Sequence, residues 1–307
     1  MNSKTSSFLL FCSSKFKYYE LSDDEKKNFY ISCFGVHMRP YHALSATPEE
    51  SKKKLAVMNL DNPLNKKKVI ETVCSTPTGE DILESFDVYS TCIENNRDEF
   101  NFMELGAGFG RWSVIARNIV RKIKPNLKFY AVAIEAEPKH FRMMKTFLDD
   151  NDTEDTIKAI HGAVTQGNEK YLEFASANYA QREKLDSINW WGQAICAPGK
   201  GMYKVKAYNL SKLLEEKEIW DLLDLDVQGS EADILIPNKK ILDKKVKKLH
   251  IGTHGRDLET QLKAAFSDWI IINDYKCGNY KKTILQDTPF GKISFGDGIL
   301  TLKNPNF

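Results

Sequence analysis

Three glycines, Gly106, Gly108 and Gly110, stand at alternate positions directly after the run Phe102-Met103-Glu104-Leu105. A strand ending in such a turn brings bare backbone up to a ligand, and the helix behind it points its positive end the same way. The spacing separates two cofactor classes. A dinucleotide fingerprint needs its third glycine at position 111, where this chain has Arg111. Glu135 closes the next apolar run, Phe129 to Ile134, 25 residues after Gly110. That is close to the offset of about 20 at which an acid on the second strand of a βαβ unit meets the hydroxyls of a ribose. The structural alternative for Glu135 is an acid near the start of a helix opening at Pro138.

Two further stretches carry titratable groups. In Trp220-Asp-Leu-Leu-Asp-Leu-Asp-Val-Gln-Gly-Ser-Glu, Asp224 and Asp226 lie two apart and share one face of a strand, with Asp226 at its tip. Asp226 could act on a bound acceptor or cap the turn at Gly229. His254 ends the run Lys248 to Thr253; with an ordinary pKa of about 6.5 it suits removal of a hydroxyl proton. His250 and His254 do not read as a metal pair, because i and i+4 converge on a helix and this segment is extended. No metal is expected, save one arrangement left open in which Asp226 and His254 share an ion with the substrate. Trp190 and Trp191 sit in a polar insertion from 165 to about 203, where they either wall an acceptor or anchor the loop.

The elements that position these groups alternate. A helix from Thr78 to Ile93 precedes the first strand, and a second from Ser113 to Lys122 is stopped by Pro125. The strand Phe129 to Ile134 leads to a helix over Pro138 to Leu148. Ile157 to Val164 forms the third strand, whose Gly162-Ala163 tip offers a small surface for an adenine ring. A short strand over Tyr203 to Tyr208 and a helix over Ser211 to Glu218 precede the fourth strand at Leu222 to Leu225. Glu231 enters a helix ended by Pro237, and Lys248 to Thr253 is the fifth strand. A helix from Leu258 to Phe266 and two strands, Trp269 to Asn273 and Ile299 to Leu302, complete the set. Near-continuous apolar runs alternating with helices describe a parallel sheet covered on both faces.

Composition sets the boundaries of function. The chain has 307 residues, a net charge of +2 and 42% hydrophobic residues, so its overall field does not draw it to nucleic acid. The lysine runs at 52–54, 66–68 and 244–248 read as solvated faces. Six cysteines without a C-x-x-C pair fit reduced thiols in the cytoplasm. The apolar Phe8 to Cys12 is too short for a signal peptide, and nothing approaches the roughly 18 to 20 apolar residues that span a bilayer. Residues 1–78 differ in character, with a capping box at Ser22 to Glu25 and a helix start at Thr47-Pro48. They are expected to form a mainly helical extension, packed on the main domain of 79–307 or on a second subunit in a homo-oligomer.

Together these motifs bear a family resemblance. An acid ahead of G-x-G-x-G is similar to the first motif of class I S-adenosylmethionine (SAM) dependent methyltransferases. MELGAGFGRWS, AIEAEPKHF, IHGAVT, YNLSKLL and DLLDLDVQGSEADIL, in this order over about residues 80 to 302, resemble the FkbM family of these enzymes. The resemblance implies a doubly wound, mostly parallel seven-stranded α/β sheet, Rossmann-like, and SAM as cofactor. It implies cofactor contacts at Glu104, Gly106, Gly108, Gly110, Glu135 and Ala163, and a late motif at Asp226, Gly229 and Glu231. Asp226 and His254 are the expected catalytic pair, and Trp190, Trp191 and Glu231 the acceptor side. The expected reaction is O-methylation of a sugar, glycan or small natural product. Methylation of a protein or nucleic-acid nitrogen is the alternative within enzymes; the chain has Asp226-Val-Gln-Gly where amino-methylating nucleic-acid enzymes carry N-P-P-Y. A non-catalytic SAM-binding module is the alternative outside them. The long N-terminal segment and Arg111-Trp112 depart from the family pattern.

Overall fold

The computed structural model describes residues 3–13, 30–32, 34–38, 81–174, 203–278 and 283–307. Seven strands form the main sheet: β1 (Glu99–Leu105), β2 (Lys128–Glu135), β3 (Ile157–His161), β4 (Leu222–Leu225), β5 (Lys248–Thr253), β6 (Ile270–Tyr275) and β7 (Gly298–Lys303). Their order across the sheet is β3-β2-β1-β4-β5-β7-β6. All run parallel except β7, which pairs antiparallel with both β5 and β6. This is the doubly wound, Rossmann-like α/β arrangement expected of the class I methyltransferase fold. From β1 the chain winds first toward β3, then returns to β4 on the other side. The crevice at the carboxyl ends of β1 and β4 is therefore the topological switch point, where open α/β sheets place their ligands.

Two helical layers explain why the strands are apolar on both faces. On one side lie α2 (Asp81–Glu94), α3 (Arg111–Ile123) and α4 (Pro138–Asp150), whose Leu83, Ile115, Ile119 and Phe147 pack with Phe100, Phe102 and Ala133. The other side carries α5 (Leu210–Leu214), α6 (Glu231–Leu235), α7 (Lys239–Lys245) and α8 (Arg256–Ala265). Their Leu213, Ile234, Leu242 and Leu262 meet Met103, Leu105, Leu223 and Ile251. Leu222, Leu223 and Leu225 are wholly buried, and each such side chain contributes roughly 1.5 to 3 kcal/mol over leaving it in water.

Of the N-terminal segment, α1 (Ser3–Ser13) lies against α2, with the Phe8 ring 5.3 Å from Phe86 and 5.1 Å from Tyr89. Two short strands, Tyr30–Ile31 and His37–Met38, pair antiparallel. The second is tied to the end of α4 by reciprocal bonds: His37 N–H donates to Asn151 Oδ1 at 2.8 Å, and Asn151 Nδ2 donates to the His37 carbonyl at 2.9 Å. The helix starts read at Ser22 and Thr47 lie outside the described residues, as do Trp190 and Trp191.

Three differences from the sequence reading have local causes. The third strand leaves the main sheet at Gly162, where a Cβ would fall 2.3 Å from the Tyr208 ring. Ala163–Thr165 instead joins Tyr203–Asn209 and Tyr171–Phe174 in a separate three-stranded sheet. An additional hairpin, Ile284–Thr288 with Gly291–Phe295, stands between β6 and β7. Lys248, read as part of a solvated run, is buried, its ammonium donating to Ser90 Oγ at 3.0 Å.

Candidate active site

The glycine turn adopts a conformation that side chains resist. Gly106, Gly108 and Gly110 have φ of +84°, +55° and +78°, the left-handed region in which a Cβ is strained. Gly106 is the tightest: a Cβ there would lie 1.8 Å from the Asp226 carbonyl oxygen, so β1 and β4 approach this closely only with glycine between them. The turn is stitched to β2, with the N–H groups of Gly106 and Ala107 donating to the Ile134 carbonyl at 3.0 and 2.9 Å. Gly110 caps α3 without a side-chain bond of its own.

Two buried acids hold the turn from beneath. Glu104, 2% exposed, accepts from the Ser113 N–H at 2.8 Å and from the Ser113 hydroxyl, which serves α3 as a cap reached from β1. Burial, with Asp224 adding to it, pushes its carboxyl up to about 8. Glu135 accepts from Gly108 N–H at 2.7 Å through Oε2 and from Glu137 N–H at 2.6 Å through Oε1. Burial raises it to about 8 as well, against the pull of those donors. Glu135 thus stands at the tip of β2 and fixes the middle of the turn. Ala163 is also buried, packed with Ala136, Phe174 and Val205.

Across the switch point, the tips of β4 and β5 bring three groups together. Glu231, at the start of α6 and fully buried, accepts from Val227 N–H at 3.2 Å and from Gly229 N–H at 3.1 Å, so it closes the turn after β4. Its Oε1 also lies 2.9 Å from His254 Nδ1. The opposite ring atom, Nε2, lies 3.2 Å from Asp226 Oδ1 in an orientation that makes no hydrogen bond. Asp226 is the open member, its side chain 55% exposed against 3% for His254, and it accepts from Gln228 Nε2 at 2.6 Å.

The His254 ring is therefore held between two carboxylates. Burial alone would lower its pKa, but Asp226 and Glu231 outweigh burial and raise it to about 10. Glu231, expected on the acceptor side, orients His254 and the Gly229 turn. Ser113 and Gln228 join the site through contacts that their sequence positions do not announce. Ser113 stands three residues after Gly110, a helix-capping offset that could have revealed it.

Below the tips lies a layer of buried charge. Asp224 pairs in register with Glu104 on β1 and His250 on β5, and burial lifts its carboxyl to about 6. Glu84 of α2 is raised well above the usual range, first by burial and then by Asp224. Asp87 of α2 receives His250 Nδ1 at 2.8 Å and the Thr301 hydroxyl at 2.7 Å. This network docks α2 on the sheet directly under the site.

No family model matches the chain. A protein of Jannaschia sp. (strain CCS1) named "Putative methyltransferase" is 27% identical over 228 residues, covering 69% of this chain and 75% of that protein. The precorrin-6y C5,15-methyltransferase of Geobacter metallireducens GS-15 superposes with a TM-score of 0.39 at 13% identity, over 75% of this chain and 92% of that one. The methyltransferase FkbM of Methylobacillus flagellatus KT gives 0.39 at 12% identity, over 67% of this chain and 44% of that one.

Proposed function

We propose that the chain is a SAM-dependent O-methyltransferase acting on a hydroxyl of a sugar-like, glycan or small natural-product acceptor. The observation that carries this reading is the convergence at one switch point of a turn with three positive-φ glycines, an acid at the tip of β2 and an exposed carboxylate at the tip of β4. The name of the Jannaschia relative supports methyl transfer in general. The residues present fit the cofactor. Three of the five residues of the turn, Gly106 to Gly110, carry no side chain and have positive φ, which suits close approach of a ligand to the backbone, and the Glu135 carboxyl has lone pairs beyond the two that Gly108 and Glu137 occupy.

SAM, when bound, supplies a methyl group on a positively charged sulfur. Gly106 to Gly110 and Glu135 would hold it, with Glu104 acting through the turn it supports. Asp226 would accept the proton of the acceptor hydroxyl, with the His254 ring buried beside it. Holding the reactants in line can contribute roughly 7 to 11 kcal/mol, and a positioned base about 10² to 10⁴ in rate. Calorimetry with SAM and its demethylated product, followed by an acceptor screen for a gain of one methyl group, tests the reading. Binding of both and product formation that falls at least ~100-fold in Asp226→Asn are expected. A protein that binds neither, or a variant with unchanged turnover, refutes it.

A further inference from the structure

The tip cluster at Asp226, Glu231 and His254 is built more elaborately than proton acceptance requires. Glu231, buried and bonded to two backbone N–H groups, holds His254 by Nδ1 at 2.9 Å. That fixes which way the ring faces. Nε2, on a side chain only 3% exposed, then points toward Asp226 Oδ1 at 3.2 Å without a hydrogen bond. A carboxylate on one ring nitrogen, with the other left open toward an oxygen ligand, is the outer-shell arrangement of metal-bound histidines. One ligand atom from each of Asp226, Glu231 and His254 falls within a single 4.8 Å cluster. Asp297, in the turn before β7, stands within electrostatic reach of all three. Two carboxylates thus flank one imidazole, with a third within electrostatic reach, a charge balance that favours a cation.

We propose that the carboxyl-edge cluster is a divalent-cation site, with His254 Nε2 and Asp226 as protein ligands and Glu231 as the group that orients the histidine. Mixed imidazole and carboxylate donors suit manganese and zinc better than calcium. Asp226 is half open to solvent, so remaining positions of the ion face the crevice, free for water or for acceptor oxygens. On the methyl-transfer reading, such an ion would bind the acceptor oxygen and ease loss of its proton, a duty otherwise left to Asp226 alone. The site itself stands on the strand-tip geometry and does not depend on that reading.

The test is Mn²⁺ binding to the full chain, followed by loss of the free-ion paramagnetic resonance signal, with SAM binding measured on the same samples. One saturable equivalent is expected in the wild type. Asp226→Asn, an exposed position that leaves the core intact, and His254→Ala should each abolish it, and Glu231→Gln should weaken it roughly 10- to 100-fold. Zn²⁺ should compete for the same equivalent. The proposal falls if the wild type shows no saturable binding, or if folded His254→Ala or Asp226→Asn keeps wild-type affinity. SAM binding without Mn²⁺ binding overturns the cation site and spares the methyltransferase reading; Mn²⁺ binding without SAM binding does the reverse.

Discussion

Replacing Glu104 by glutamine tests whether the glycine turn rests on a proton held inside the fold. The Glu104 carboxyl is lifted from 4.5 to about 8, chiefly by burial and secondly by Asp224. Because the folded value lies above the unfolded one, the folded state binds this proton more tightly. The stability it contributes is complete below about pH 4.5 and is lost as pH rises through about 8. Across that interval one proton separates the two states, giving a slope of about 1.4 kcal/mol per pH unit. The gap of about 3.5 pH units sets a ceiling near 5 kcal/mol. The Glu104→Gln side chain cannot titrate but keeps an oxygen for the Ser113 N–H. Asp224 and Glu84 are raised in the same sense and remain in both proteins, so they largely cancel in the difference. Urea unfolding of both proteins between about pH 5 and 8 should show the variant gaining on the wild type by up to ~1.4 kcal/mol per unit. Parallel profiles would refute the idea that Glu104 is buried in its protonated form.

Two further substitutions probe the same framework. Gly106→Ala forces a Cβ to 1.8 Å from the Asp226 carbonyl at a φ of +84°; strain of that kind costs about 1 to 3 kcal/mol before the strands move, so calorimetry should show SAM affinity lost together with a lowered melting temperature, and an unchanged melting temperature would contradict the contact. Asp87→Asn leaves His250 and Lys248 buried without their counter-charge, and denaturant unfolding should register a loss of about 3 to 5 kcal/mol; a loss under ~1 kcal/mol would mean the network does not dock α2.

The sheet was legible because its signals are local. The runs Phe129 to Ile134, Leu222 to Leu225 and Lys248 to Thr253 read as strands from composition alone, and β5 has those same limits in the structure. The glycine turn was legible for a related reason: positive φ at alternate positions leaves few residue choices. What escaped depends on which strand lies beside which. The bond between Glu104 and Ser113 escaped because it crosses from β1 to α3. Lys248 looked solvated because its neighbours are lysines; its burial is decided by Asp87 and Ser90 on a helix some 160 residues earlier. The hairpin over Ile284 to Phe295 was missed because its alternation is short and broken by polar residues.

His250 and His254 show how the fold sorts residues that sequence places together. Along an extended strand, four residues span about 13 Å, so the two rings cannot share a ligand. Each turns to a different neighbour: His250 to Asp87 of α2, beneath the sheet, and His254 to Glu231 of α6, at its carboxyl edge. Both meet buried carboxylates, yet their surroundings differ in what remains open. Asp87 and Thr301 both meet His250 at Nδ1, and this network anchors α2. The outer nitrogen of His254 instead faces Asp226, the one member of its group that reaches solvent. Chemistry at this edge is therefore decided across strands, by Asp226 of β4 against His254 of β5. A change at His250 should alter stability before it alters ligand binding, and a change at Asp226 the reverse.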